Sequence, residues 1–439
     1  MKNRIEALTQ TTPVNKFEKI NLRLLLQKPA WLLFYFILLA FFLDAPKVFA
    51  EDADSLSEVL SKGKVSAAFN YRYEQVDQQG IGKKAQASTL RSRLGYQTAT
   101  LKGISGKLEL EDVSVIGNEQ YNSTANGKTA YPVVADPEDA ELNQAYLQFT
   151  GVEGLTLTGG RQRIKLDNDR FIGNVGWRQN EQTFDAVRLA FSPMADLVGT
   201  YLYLANVNRI FGEHHPNAAL ADSRMDSHLL HLGWTGQAAL QVSAYGYLLD
   251  FENAPAASTQ TFGIRFTGAL KPGETFTLLY TAEYADQSDY ALGAAINQGD
   301  YYFIALGAGV MGITVQAAYE VLSGDGVYGF ATPLATAHAF QGWADKFLAT
   351  PATGVEDLYF TLSGKAAGLK LVGVYHLFSS DAGDFKYGTE TDLLIMKPIS
   401  ENILVSAKYA MYAADRNPQN TGGTAVDTDK LWLTGELKF

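Results

Sequence analysis

The chain has 439 residues, no cysteine and a formal charge of −11. The absent thiols exclude disulfide frameworks and thiolate metal sites, and the net acidity argues against nucleic-acid binding, which needs a basic footprint. Tyr (23), Phe (24) and Gly (40) are plentiful, yet apolar residues almost never run on continuously.

The one continuous run is Trp31–Leu43, WLLFYFILLAFFL, which follows a basic stretch and precedes Val48-Phe49-Ala50. A bilayer core of about 30 Å needs roughly 20 apolar residues of helix, so this run is too short to span it. A basic leader, a short apolar core and a small-residue site form the pattern of a secretory signal peptide. It is expected over residues 1–50, with Glu51 as the mature N-terminus. The leader is long, which fits either a later start of translation or an extended signal; an uncleaved anchor is the alternative. Residues 1–50 hold seven Lys/Arg against three Asp/Glu, so their removal takes the charge from −11 to −15. Residues 51–63 then form a short periplasmic segment.

From Lys64 onward one form repeats: about ten residues of period-two alternation, then a turn. In Lys64–Gln75 one face carries Val65, Ala67, Phe69, Tyr71 and Tyr73, and the other carries Asn70, Arg72 and Glu74. The first six such segments are 64–75, 87–99, 104–114, 140–150, 155–165 and 183–192. The next six are 197–207, 227–235, 239–250, 259–269, 275–286 and 300–311. The last six are 313–323, 356–366, 369–379, 388–396, 403–413 and 428–439. Short links (151–154, 193–196, 271–274, 398–401) alternate with long polar stretches (115–139, 166–182, 208–226, 324–355). Short turns at one end and long loops at the other mark a transmembrane barrel. Lipid offers no hydrogen-bond partners, so such a sheet must close on itself.

The expected fold is therefore all-β: an antiparallel barrel over residues 64–439 with eighteen strands, sixteen being the alternative count, and both termini periplasmic. A soluble multi-sandwich protein would show the same alternation. The leader, the alternating loop lengths and the last segment, KLWLTGELKF, favour the barrel. Phe439 on an amphipathic final strand resembles the signal read by the outer-membrane barrel assembly machinery. Outer-membrane lipid and lipopolysaccharide are the expected surroundings, in a Gram-negative cell.

With apolar residues facing lipid, the opposite parity faces the lumen. Arg72, Arg91, Arg93, Lys107, Arg161, Arg163, Lys165, Arg188, Arg265 and Lys408 are expected there, interspersed with Glu74, Glu109, Glu111, Asp185, Glu283 and Glu320. Guanidinium groups keep their proton and bind carboxylates in bidentate fashion, so a row of them in a narrow pore favours anions. The bland alternative is a lattice of cross-strand ion pairs that merely fills the interior.

The stretch GRQRIKLDNDRFIGNVGWRQNEQTFDAV (160–187), with VADPEDAELNQAYLQF (134–149) and ASTLRSRLGYQT (87–98), resembles the alginate export family of outer-membrane porins. The likeness runs through residues about 64–250 and weakens to barrel pattern beyond. It implies an eighteen-stranded barrel that passes an anionic polyuronate outward through an arginine-lined constriction. On this sequence the matching positions are Arg91, Arg93, Arg161, Arg163, Arg170 and Arg178, with Asn168, Asn180 and Asp185 as hydrogen-bonding neighbours. Dedicated exporters of that family are longer and carry a sizeable periplasmic turn, whereas every inferred periplasmic turn here is short. A plug could instead come from loop 166–182, bringing Arg170 and Arg178 into the lumen.

Other constellations carry less. His214-His215 lies in a solvated loop; His228 and His231 fall on opposite faces of one strand; and DPEDAE (136–141) lacks the spaced ligands of a calcium loop. Ser227 beside His228 has no nucleophile motif around it. No phosphate-binding glycine loop occurs. No catalytic residue, cofactor or metal is expected. The chain reads as a porin conducting anionic solutes, uronate polymers or oligomers first and small organic acids as the alternative, with periplasmic export components as possible partners.

Overall fold

The computed structural model describes residues 53–439; the apolar run and its flanks, expected to be a signal peptide, lie outside the described residues. Eighteen strands make one antiparallel sheet, each paired with its neighbour in sequence, and β1 pairs with β18 to close it. They are β1 (Lys64–Gln78), β2 (Ala85–Gln97), β3 (Ile104–Gln120), β4 (Asp139–Val152), β5 (Leu155–Gln162) and β6 (Thr183–Met194). Next come β7 (Leu197–Asn208), β8 (Asp222–Gln237), β9 (Leu240–Leu249), β10 (Thr259–Leu270), β11 (Phe276–Asp289) and β12 (Gly299–Val310). The circuit ends with β13 (Ile313–Leu322), β14 (Val355–Ala366), β15 (Leu369–Ser379), β16 (Lys386–Pro398), β17 (Ile403–Ala414) and β18 (Thr428–Lys438). All eighteen expected segments are strands.

The wall forms because each strand has two chemistries. Leu147, Val187, Leu230, Ile304, Leu362 and Ile395 stand exposed on the outside, where water would be costly and lipid is not. Opposite parity places Arg72, Glu74, Glu283, Glu320 and Trp432 inside, all buried. At Met311-Gly312 both residues have positive φ (49° and 82°), the type I′ geometry whose twist matches the strands it joins. At the seam, register runs from Ala68↔Lys438 to Gln78↔Thr428, and Phe439 N donates to Ala67 O at 2.8 Å. Before β1, a short helix, α1 (Leu56–Ser61), is capped by the Ser55 side chain on Glu58 N.

β5 stops at Gln162, three residues earlier than expected, so Arg163 and Lys165 belong to the loop that follows. The cause is apolar. Continued in the sheet, Ile164 and Leu166 would sit on the wall; instead the chain turns inward and buries both.

Candidate functional site

Loop 163–182 crosses the lumen. Asp167 meets His231 (2.9 Å) and Ser243 (2.7 Å) on β8 and β9. Phe171 packs against Tyr245 and Tyr301, with ring centres 5.2 and 5.3 Å away. Arg170 Nε lies 2.8 Å from Glu320 on β13. On the far wall Arg178 pairs with Glu74 of β1 at 3.2 Å, and the Gln179 side chain donates to Thr89 Oγ1 of β2 at 2.8 Å. Ile164, Leu166, Phe171 and Ile172 bury their side chains among Phe184, Leu202, Leu204 and Tyr247. Each such burial contributes about 1.5–3 kcal/mol, which offsets the entropy of ordering a long loop.

A second loop, 323–354, interlocks with it. Gly173 N donates to Leu334 O (2.9 Å), and Thr336 N donates to Asp169 O (3.0 Å). Its tip rests on buried carboxylates of β16: Trp343 N donates to Asp392 (3.2 Å) and Ala344 N to Glu390 (2.6 Å). A third loop, 121–138, supplies Asp136, which accepts from Gln179 N at 2.9 Å and faces Arg72 at 3.7 Å.

Two charge clusters hold the loops. In the first, Arg163 bridges Glu109 and Glu181, Arg93 pairs with Glu111 and lies 3.3 Å from Glu181, and Asn143 donates to both Glu109 (2.8 Å) and Glu181 (2.6 Å). In the second, Asp345 lies 3.0 Å from Arg178, 2.6 Å from Lys430 and 2.6 Å from His338 Nδ1. His338 Nε2 sits 2.8 Å from the Lys408 ammonium. Only a neutral imidazole can accept from Lys408 at Nε2 while donating to Asp345 from Nδ1, and burial pushes the His338 pKa down to about 3. Burial opposes the charge of Asp345, but His338, Lys430 and Arg178 hold it well below the usual carboxylate range. Three tryptophans, Trp343 (3.6 Å), Trp177 (4.2 Å) and Trp432 (5.5 Å), present their rings to the same ammonium.

Of the expected site residues, Arg72, Arg91, Arg93, Arg188 and Arg265 lie on the lumen face of their strands, and Arg170 and Arg178 come into the lumen on the loop. Arg265 pairs with Glu283, Arg91 donates to Arg178 O (3.1 Å), and half-buried Arg188 has no partner at Nε. Asn180 is buried and donates to Pro137 O (3.1 Å); Lys165 pairs with Asp169 (2.8 Å); Asn168 stands exposed.

Arg161 and Asp185 depart from expectation. They are register partners, with hydrogen bonds of 2.8 and 3.2 Å, on the face that carries Leu157, Val187 and Leu189, all exposed. That face is the outer one. Ile164 and Leu166 gave the alternation the wrong phase, because they face the loop core and not lipid. Sequence reasoning missed His338, Asp345, Lys430 and the three tryptophans. His338, Trp343 and Asp345 share one long loop and Lys430 and Trp432 one strand face, but nothing in the sequence says that this loop folds back onto that strand.

The singled-out histidines and serine have ordinary partners. His214 Nδ1 lies 2.8 Å from Asp139, His228 Nδ1 lies 2.8 Å from the Tyr201 hydroxyl, and Ser227 Oγ donates to Asp250 O at 3.2 Å.

The sequence profile described as alginate export matches residues 61–332. No curated protein matches the chain. Among solved structures, Acinetobacter baumannii OccAB4 superposes with a TM-score of 0.67 at 12% identity, over 86% of this chain and 98% of that one. Pseudomonas aeruginosa OpdK with vanillate gives 0.68 at 11%, over 87% and 99%. OpdL of the same organism gives 0.64 at 15%, over 87% and 99%. At these identities the likeness is one of fold.

Proposed function

The chain belongs to the alginate export family, and we propose that this outer-membrane porin passively conducts small carboxylates. The observation that supports the reading most is the lumen itself. Two loops interlock across it, held by buried ion pairs and an apolar core. A solute compatible with those contacts is small. Below the loops the wall offers Thr281, Gln316, Thr361 and Ser406, half-buried hydroxyls and amides that suit a hydrated solute, and Arg188 adds a cation without a carboxylate partner among the described residues. Vanillate, held by one structural relative, is itself a small carboxylate. Fold and family support a channel rather than an enzyme.

Passage of uronate oligomers is the second reading, favoured by the family match over residues 61–332. It requires the two loops to separate.

The deciding experiment is the reversal potential of the purified protein in a planar bilayer under a salt gradient, with and without oligouronates. Anion selectivity indifferent to oligouronates supports the small-carboxylate reading. Block by oligouronates supports the polymer reading. Cation selectivity rejects both.

A further inference from the structure

At the loop end of the barrel lies a cavity of about 530 Å³, within the range of about 300–1,000 Å³ typical of small-ligand sites. Seven segments build it: β1, β18, loops 121–138, 163–182 and 323–354, the chain from Arg209 to Phe211, and Gly423 in the loop before β18. Among the described residues its only carboxylate is Asp345, which already faces Arg178, Lys430 and His338. Two further cations line it, Arg209 and Lys346. Arg209 donates to Ala219 O (3.4 Å) and Lys346 to Thr428 Oγ1 (2.8 Å); neither has a carboxylate partner among the described residues. Both are partly desolvated, and burial lowers the pKa of each, that of Lys346 to about 8. A half-buried cation with no carboxylate in contact is costly, and an arriving anion would reduce that cost.

The rest of the wall restricts which anion. Val76, Val133, Ile210, Phe211, Pro333 and Leu348 make most of it apolar. The neutral polar groups are largely engaged. Gln182 donates to Gly173 O and Leu334 O, Thr428 Oγ1 accepts from Lys346, and Thr332 Oγ1 accepts from Arg170. A sugar ring would leave hydroxyls unsatisfied here, whereas an apolar or aromatic body would lose nothing.

From this geometry we infer that the mouth of the barrel is a binding vestibule for carboxylates with a compact apolar body, held by Arg209 and Lys346. The inference rests on the carboxylate-conducting reading and names its solute class and first binding site. Arg209 offers a two-pronged donor for the carboxylate, Lys346 approaches from another loop, and Phe211 and Ile210 receive the body.

The test is isothermal titration of the full, folded protein in detergent with benzoate, glucuronate and benzylamine, repeated on Arg209→Gln/Lys346→Gln. Benzoate is expected to bind saturably and more tightly than glucuronate. The double variant should lose at least about tenfold in benzoate affinity, as removing charged hydrogen-bond donors implies. Equal binding of glucuronate, no saturable binding of benzoate, or unchanged affinity in the double variant overturns the inference. If the variant does not fold, benzylamine on the wild type decides, since binding as tight as benzoate also overturns it. Reversal potentials separate the two readings. Anion selectivity without benzoate binding rejects the vestibule alone, and cation selectivity rejects carboxylate conduction as well.

Discussion

The Lys408 ammonium of β17 lies 3.6 Å from the centre of the Trp343 ring at the tip of loop 323–354. The barrel wall thus holds its inner loop by a cation over an aromatic face. Such contacts contribute about 0.5–2 kcal/mol, the upper end when desolvated, and Lys408 is buried. Trp343→Ala should therefore raise the population of the displaced loop by about 2- to 30-fold. In single-channel recordings this appears as longer or larger open events. A trace identical to wild type would mean that the contact does not restrain the loop.

Arg163 and Arg161 are two residues apart and should behave differently. Arg163→Ala removes the cation that bridges Glu109 and Glu181, leaving Glu109 to Lys107 and Glu181 to Arg93, and losing these charged hydrogen bonds should cost about 1.5–3 kcal/mol. Arg161→Ala removes a pair on the outer face at the loop end of β5, where Asp185 still accepts from Asn208 (3.3 Å), and should cost about 1 kcal/mol or less. Chemical unfolding in detergent compares the two. Equal losses would contradict the opposite faces assigned to them.

Acid should loosen the His338 cluster. The unfolded chain protonates this imidazole near pH 6.5, while burial holds the folded one down to about 3. Between those values the unfolded state binds more protons, so stability falls as pH falls, by about 2 kcal/mol from this residue at pH 5. Asp345, held low in the folded state, adds a loss only at still lower pH. His338→Gln should flatten the dependence of unfolding between pH 6.5 and 4. A variant as pH-sensitive as wild type would assign the effect elsewhere.

Gly342 has φ of +79°, and a Cβ there would lie 2.5 Å from the Glu390 carboxyl carbon. Gly342→Ala should cost about 1–3 kcal/mol through backbone strain and lift the Trp343 and Ala344 amides from Asp392 and Glu390. Trypsin sensitivity at Lys346 should increase. Unchanged cleavage would show that the tip tolerates the methyl group.

The wall was legible because alternation is local: each strand states its two faces within ten residues, and lipid permits few departures. The interior was only partly legible. Arg170 and Arg178 hinted at an inserted loop, since charged residues in a polar stretch need partners. Ile164 and Leu166 misled, because an apolar residue reads the same whether it faces lipid or a buried loop. Lys408 and Trp432 are register partners on the neighbouring strands β17 and β18, but Trp177, His338 and Trp343 reach them from loops far away in the chain, and no sequence spacing encodes that meeting.

The seam between β1 and β18 therefore sets an order of events. Trp177 rests against Trp432 and Arg72, one from each side of the closure, so its resting place does not exist while the sheet is open. The loops can seal the lumen only once the wall is whole, and a half-assembled barrel would announce itself as a leak.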